Sequence, residues 1–144
     1  MPHKKILFRL AKDKDGYPPV DVEGVWAEEI GDNAFVVDNI PFFTRHVALG
    51  DVVQTQQIDG ETFYKSTAKP SDNSLAWVVF FDHHDPAVLR SELSKLGCST
   101  ELSHIPSLVA VNIPSSVKID RVRQVLDGGV AQGFWDYEEP IVRQ

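Results

Sequence analysis

Four consecutive residues, Asp82, His83, His84 and Asp85, have side chains that could bind a metal ion. A metal site needs three or four such ligands that converge on one point. Because neighbouring side chains on an extended chain point to opposite sides, all four converge only if the chain turns here. We therefore expect a polar strand end in which Asp85 caps the following helix. A metal site at these residues is kept as an alternative, and no cofactor is expected.

A second group of residues near the C-terminus combines aromatic rings with acids. On a strand, Asp136 and Glu138 would share one face, and Trp135, Tyr137 and Glu139 would share the other. Three interpretations are open: a solvated edge strand, a protein-binding surface and a pair of catalytic carboxylates. Trp and Tyr are enriched in binding hot spots, and charge steers the encounter of two proteins. We take these five residues as the candidate partner-binding surface and assign no catalytic residue.

The remaining residues whose side chains could take part in a reaction do not form a known catalytic pattern. His3, His46 and His104 are scattered and share no ligand spacing. Gly128-Gly129 follows a predicted helix, whereas a dinucleotide-binding loop follows a strand and opens a helix. Cys98 is the single cysteine, and we expect it to be a small buried residue, as free cysteines usually are. We therefore expect a protein that is not an enzyme.

Charge limits the classes of partner. The chain has 14 Lys and Arg against 21 Asp and Glu, a net charge of −7, and both halves are acidic. Nucleic-acid binders concentrate Lys and Arg, and an anionic membrane repels an acidic chain, so neither partner is expected. A basic protein partner fits better. The sequence contains no signal-peptide core, membrane-length apolar run or cysteine pair, and we expect the protein in the cytoplasm.

The first half, residues 1–70, has the pattern of a small all-β structure. Asp59-Gly60 between two apolar stretches is a strong hairpin signal. We predict strands at residues 5–10, 22–30, 34–38, 52–58 and 62–66. Five short strands without a helical pattern indicate a small, strongly bent sheet or barrel.

The second half, residues 71–144, changes to a mixed pattern. We predict strands at 75–81, 98–104, 108–113 and 134–141, a helix from Asp85-Pro86 to Gly97, and a helix that ends at Gly128-Gly129. This order is the βαββαβ of a ferredoxin-like arrangement. The predicted class is therefore α+β. Because each half is near the lower size limit for a self-sufficient core, we expect the halves to pack as one compact body.

The most distinctive stretches are Asn-Ile-Pro-Phe-Phe at residues 39–43 and Ala-Leu-Gly-Asp-Val-Val at residues 48–53, preceded by Val-Trp-Ala-Glu at residues 25–28. With these motifs the chain resembles a bacterial domain-of-unknown-function family. The resemblance implies no established reaction. Similar small acidic proteins neutralise bacterial toxins, so it implies a possible immunity role. Since apolar turns usually serve packing, we expect the two motifs to define the fold.

Three functional hypotheses follow. The first is a non-enzymatic immunity protein that occludes a basic toxin with the surface at residues 135–139. The second is an enzyme or sensor for a metal or small ligand, with its site between the halves and drawing on His83, His84 and the turns at residues 39–51. The third is a structural adaptor or homodimer that extends a sheet through the last strand. The sequence leaves open whether the protein is a monomer or a homodimer.

Overall fold

A computed structural model describes residues 3–81 and 84–144. The chain divides into two compact units, Met1–Ser71 and Asp72–Gln144. Over the described residues, the first unit consists of strands and turns, and the second unit combines strands with two helices. The predicted α+β class is confirmed. Neither helix in the described parts of the chain is long and apolar enough to cross a membrane.

The first unit is a closed barrel of five described strands. They are β1 (His3–Arg9), β2 (Val22–Gly31), β3 (Ala34–Val37), β4 (Val52–Ile58) and β5 (Glu61–Lys69). Successive strands pair antiparallel, and β1 closes the barrel by pairing parallel with β5 at Leu7 and Phe63. Alternate apolar residues such as Ile6, Phe8 and Val25 point into a buried core, as the period of a strand requires.

The β4–β5 hairpin shows why the strand prediction succeeded in this unit. Asp59 and Gly60 have φ angles of 53° and 81°. A two-residue turn with positive φ at both positions matches the twist of the flanking strands, and Asp-Gly is a favoured pair for it. The turn therefore fixes the register in which Ile58 pairs with Glu61.

A buried carboxylate on β2 holds the first motif of the β3–β4 connection. Glu23 accepts hydrogen bonds from the backbone N–H groups of Phe42 at 2.6 Å, Phe43 at 3.1 Å and Thr44 at 2.8 Å. Burial raises the pKa of Glu23, and the three N–H groups partly offset that rise because they stabilise the carboxylate. This motif therefore has a structural role, which agrees with the expectation from sequence.

A second buried carboxylate holds the other motif. Asp51 is fully buried and accepts the N–H of Ala48 at 3.0 Å and the N–H of Ser71 at 2.8 Å. Gly50 precedes it with a φ of 84°, a conformation that favours glycine. The Gly-Asp pair thus forms a tight turn into β4 and also fixes the end of the first unit.

The described second unit is a four-stranded sheet with two helices. Its elements are β6 (Ser74–Phe80), α1 (Ala87–Leu96), β7 (Ser99–Leu102), β8 (Leu108–Ile113), α2 (Ile119–Ala131) and β9 (Trp135–Ile141). The sheet is antiparallel with the order β7-β8-β6-β9. Buried residues of the helices, such as Leu93 and Val122, share one core with Val78 and Val111 of the sheet. The helices therefore lie on one face of the sheet.

The two helices end in different ways. Gly97 closes α1 with a φ of 107°, as predicted. The prediction that Gly128-Gly129 ends α2 is wrong, because α2 continues to Ala131. Gly129 is needed for packing instead: a Cβ atom on it would lie 1.9 Å from Cζ2 of Trp135. Other predicted boundaries differ from the observed ones by up to three residues.

Candidate functional site

A groove of about 500 Å³ lies in the second unit between α1, α2 and the start of β9. Most of its lining residues belong to the two helices, and Phe80 of β6 and Trp135 of β9 come from the sheet. The lining includes Phe80, His84, Asp85, Val88, Leu89, Glu92, Gln124, Val125, Gly128, Gly129, Gln132, Phe134 and Trp135. Its volume lies within the range typical of binding pockets, roughly 300 to 1,000 Å³.

Aromatic rings form a continuous cluster in the groove. The ring centroids of Phe80 and Trp135 are 5.2 Å apart, and those of Phe134 and Trp135 are 6.0 Å apart. The His84 ring continues the cluster at 4.6 Å from Phe134. We call these four residues the aromatic cluster. Such spacings are typical of favourable aromatic contacts.

The indole of Trp135 is held in one orientation by α2. Its Nε1 donates a hydrogen bond to the backbone carbonyl of Leu126 at 3.0 Å. The six-membered ring fills the space that a side chain at position 129 would occupy. Because the indole N–H already donates to Leu126, Trp135 presents carbon atoms to the groove and offers no hydrogen-bond donor there.

The rim of the groove is apolar and acidic. Val88 on α1 is 68% exposed and contributes an apolar side chain to the lining. Asp85 and Glu92 are exposed carboxylates of the lining, and no Lys or Arg lines the groove among the described residues. The N-cap of α1 is Pro86 and not Asp85 as predicted, because the Pro86 carbonyl accepts the first hydrogen bond of the helix; Asp85 Oδ1 accepts the Ala87 N–H at 2.9 Å from the position before it.

Three of the five residues of the sequence-derived surface face α2. Besides Trp135, the Tyr137 hydroxyl donates to Asp127 Oδ1 at 2.5 Å, and Glu139 accepts two hydrogen bonds from Arg123 at 2.9 and 3.0 Å. Partial burial and the Asp127 carboxylate raise the pKa of Tyr137 to about 12. Tyr137 and Glu139 thus join β9 to α2, and Trp135 reaches the groove.

The other two residues of that surface point the opposite way. Asp136 and Glu138 are exposed, and Asp136 Oδ1 accepts the N–H of Tyr137 at 2.9 Å. The strand alternation predicted for these residues is present. The structure therefore places the five residues on two faces of β9 and brings Trp135 of this set into the groove.

The residues considered for a metal site are only partly described. Asp82 and His83 lie outside the described residues, His84 belongs to the aromatic cluster, and Asp85 supports α1. Over residues 3–81 and 84–144, no group of three or more His, Cys, Asp or Glu side chains could hold a metal ion. The turns at residues 39–51 belong to the first unit.

The three scattered histidines lie in separate surroundings. His3 contacts the Asp38 carboxylate at 2.8 Å, and His104 is exposed. His46 stacks on Tyr64 with ring centroids 5.7 Å apart, beside a pocket of about 150 Å³ in the first unit. That pocket is below the usual size for a ligand site. The larger groove is the stronger candidate.

The groove itself was not predicted from sequence. The available signal was indirect: the pair Gly128-Gly129 precedes Trp135 by six residues, which allows an aromatic ring to pack on a bare helix surface. A pattern of apolar residues identifies which side of a helix is buried, but it does not give the separation between two helices. The exposed Val88 and the open space beside it become visible only when both helices are placed.

Comparisons with known proteins give a fold and a family. The chain is similar in structure to a hypothetical protein from Neisseria gonorrhoeae, with a TM-score of 0.78 and 20% sequence identity over 100% of this chain and 99% of that chain. At this identity the likeness shows the fold alone. No curated protein matches the chain. Residues 23–137, which contain all three motifs singled out from the sequence, match the family described as domain of unknown function DUF4265. The chain belongs to the DUF4265 family.

Proposed function

We propose that this protein is a non-enzymatic binding module that docks a basic partner protein at the groove between α1 and α2. The observation that carries the proposal is the groove itself. Aromatic rings line it, Trp135 is held in place by a hydrogen bond, and the acidic side chains of its described lining are not balanced by Lys or Arg. Binding hot spots commonly consist of aromatic anchors in a desolvated pocket with polar groups around them. Val88 gives the groove an exposed apolar edge for such a contact.

Charge would act on the rate of encounter. From residue 71 onward the chain has ten acidic and six basic residues, and Asp136 and Glu138 add exposed acids on the other face of β9. An acidic surface speeds association with a basic protein, and apolar contacts at the groove slow dissociation. A partner held in this way would be blocked sterically wherever its active surface overlaps the interface.

The proposed partner is a bacterial toxin, and the module is then an immunity protein. The support is the acidic charge, the small size and the resemblance discussed above. The order βαββαβ and the sheet order β7-β8-β6-β9 support a ferredoxin-like arrangement for the second unit, with both helices available on one face. Action in the cytoplasm of the producing bacterium follows from the same proposal.

The first experiment uses the tagged protein and two matched variants as bait in lysate of its source bacterium. Val88→Lys places a positive charge at the groove, and Leu102→Lys places the same charge on β7, at the opposite edge of the sheet from β9. Both side chains are largely exposed, so both variants should keep the fold. We expect wild type and Leu102→Lys to capture one basic protein that high salt releases, and Val88→Lys to lose it because the new charge repels a basic partner.

The toxin assignment is tested separately, by growth of cells that co-express the captured protein. Wild type and Leu102→Lys should restore growth, and Val88→Lys should not. Capture that is equal for all three baits would show that the groove is not the interface. Capture that depends on Val88 without any effect of the partner on growth would retain the binding module and reject the immunity role.

A small-ligand function is the second candidate, and the volume of the groove favours it. Native mass spectrometry of the purified protein, combined with metal analysis of the same preparation, would test it. A stoichiometric small molecule that is displaced in Val88→Lys but retained in Leu102→Lys would favour a sensor or enzyme over a protein-binding module.

A further inference from the structure

We infer that the groove recognises an arginine or lysine side chain of the partner, with its cationic head against the aromatic cluster and its methylene stem along the apolar wall. This inference rests on the proposed function and names the chemical group that the groove selects. It is carried by the aromatic cluster together with the acidic side chains of the lining.

The aromatic rings favour a cation. A guanidinium or ammonium within about 6 Å of an aromatic ring is attracted by the electrons of the ring face, and Trp gives the strongest such contact. Trp135 and Phe134 both line the groove, so their rings are the surfaces that we expect the cation to contact. Since the Trp135 N–H is already bonded to Leu126, the indole does not offer a donor that would select an anion.

The charges of the groove favour the same ligand. Glu92 and Asp85 are carboxylates, and among the described lining residues there is no Lys or Arg to repel a cation. A carboxylate beside an aromatic ring gives a cation both a counter-charge and a surface on which to stack. An anionic ligand would meet repulsion from both acids.

The apolar wall selects a cation that has a stem. Val88, Leu89 and Val125 line the space between the helices. Lys and Arg bury their methylene groups along apolar surface while the charged head stays beside polar groups. Arginine fits better than lysine, because its planar guanidinium is more weakly hydrated and stacks on aromatic rings.

The test is an NMR titration of the full-length ¹⁵N-labelled protein with acetyl-Leu-Arg-Leu-amide. The matched probe has citrulline in place of arginine, which keeps the shape and removes the charge. We expect the arginine peptide to shift the Trp135 indole signal and the amide signals of Val88 and Glu92, and to bind about tenfold more tightly than the citrulline peptide. Trp135→Phe identifies the indole signal among those of the three tryptophans.

Two variants separate local recognition from overall charge. Glu92→Gln removes an acid from the groove, and Asp72→Asn removes an exposed acid that precedes β6, at the end of that strand opposite Phe80. We expect Glu92→Gln to weaken the arginine peptide about three- to fivefold and Asp72→Asn to change its affinity less than twofold. Equal weakening in both variants would mean that net charge attracts the peptide, and it would overturn the inference.

Other outcomes also decide the matter. Equal affinity for the arginine and citrulline peptides would show that the groove is merely apolar. Tetramethylammonium binding as tightly as the arginine peptide would indicate a site for a free small cation, contrary to the inference. If partner capture requires Val88 but is unchanged in Glu92→Gln, the proposed function stands and this inference fails. If the arginine peptide binds as expected but Val88→Lys still captures the partner, the cation site stands and the proposed function fails.

Discussion

Replacing Gly129 with alanine would test how tightly Trp135 is packed against α2. A Cβ atom at this position would lie 1.9, 2.1 and 2.5 Å from Cζ2, Cε2 and Cη2 of the indole. Distances this short do not occur, so either the ring or the helix must move. The ring cannot move freely, because its Nε1 is hydrogen-bonded to the Leu126 carbonyl at 3.0 Å.

The expected loss can be worked out from these contacts. Overpacking a rigid site costs about 1 to 3 kcal/mol, and breaking the indole hydrogen bond adds about 1 kcal/mol. We therefore expect Gly129→Ala to lower the free energy of unfolding by about 3 kcal/mol. Gly128 is the matched control, since a Cβ atom there would meet no described atom within 4 Å. Because alanine favours a helix over glycine, Gly128→Ala should raise the free energy of unfolding by about 0.5 to 1 kcal/mol.

The assay is urea unfolding followed by circular dichroism at 222 nm. Both described helices belong to the second unit, so this signal reports mainly on that unit. Two adjacent substitutions of the same kind should shift the midpoint in opposite directions. If Gly129→Ala is neutral or stabilising, the packing of Trp135 on α2 described above is wrong.

A double-mutant cycle sharpens the same test. In a Trp135→Leu background, the indole ring that the new Cβ atom would overlap is absent, so Gly129→Ala should lower the free energy of unfolding by less than about 1 kcal/mol. The coupling energy between the two positions should then be about 2 kcal/mol, within the range for residues in direct contact. Additive effects would mean that Gly129→Ala acts through the backbone of α2 and not through the indole.

Three further predictions follow from buried or partly buried groups. Glu23→Gln should lower the free energy of unfolding by about 2 to 3 kcal/mol in the same urea assay, because an amide NH₂ cannot accept the Phe42 N–H; an unchanged midpoint would contradict the structural role given to Glu23. Tyr137, whose pKa is raised to about 12, should stabilise the folded protein below pH 10 and lose that contribution as the pH rises from 10 to 12. Tyr137→Phe should remove the last component of an alkaline absorbance titration, and a component that persists would refute the assignment. Burial raises the pKa of Cys98 to about 11, so its thiol should react slowly with a disulfide reagent at pH 8 until the protein is unfolded; fast reaction of the native protein would exclude this burial.

Sequence patterns predicted the elements whose signals are local. The Asp59-Gly60 turn and the Gly97 helix end depend on the backbone freedom of a few neighbouring residues, and both lie where the sequence places them. The apolar run in β6 is likewise buried along most of its length. These features depend little on the rest of the fold.

The features that the sequence did not predict depend on residues distant in space. Gly129 resembles a helix stop in sequence, but the Trp135 ring six positions later determines its role. The two faces of residues 135–139 follow from strand alternation, but the hydrogen bonds that join one of these faces to α2 were not predicted. Neither spacing nor residue type reveals that β9 runs beside α2.

Four carboxylates of this protein lie in two different environments, and this difference identifies where function should be tested. Glu23 and Asp51 are buried, and backbone N–H groups of the first unit occupy their oxygens, so their substitution would test folding. Glu92 and Asp85 are exposed beside an apolar groove in the second unit. Exposed charge contributes little to stability, so a change at Glu92 can alter binding while leaving the fold intact. The motifs that carry the family resemblance most strongly are held by the buried carboxylates Glu23 and Asp51 of the first unit. Family membership therefore informs the fold more than the binding site.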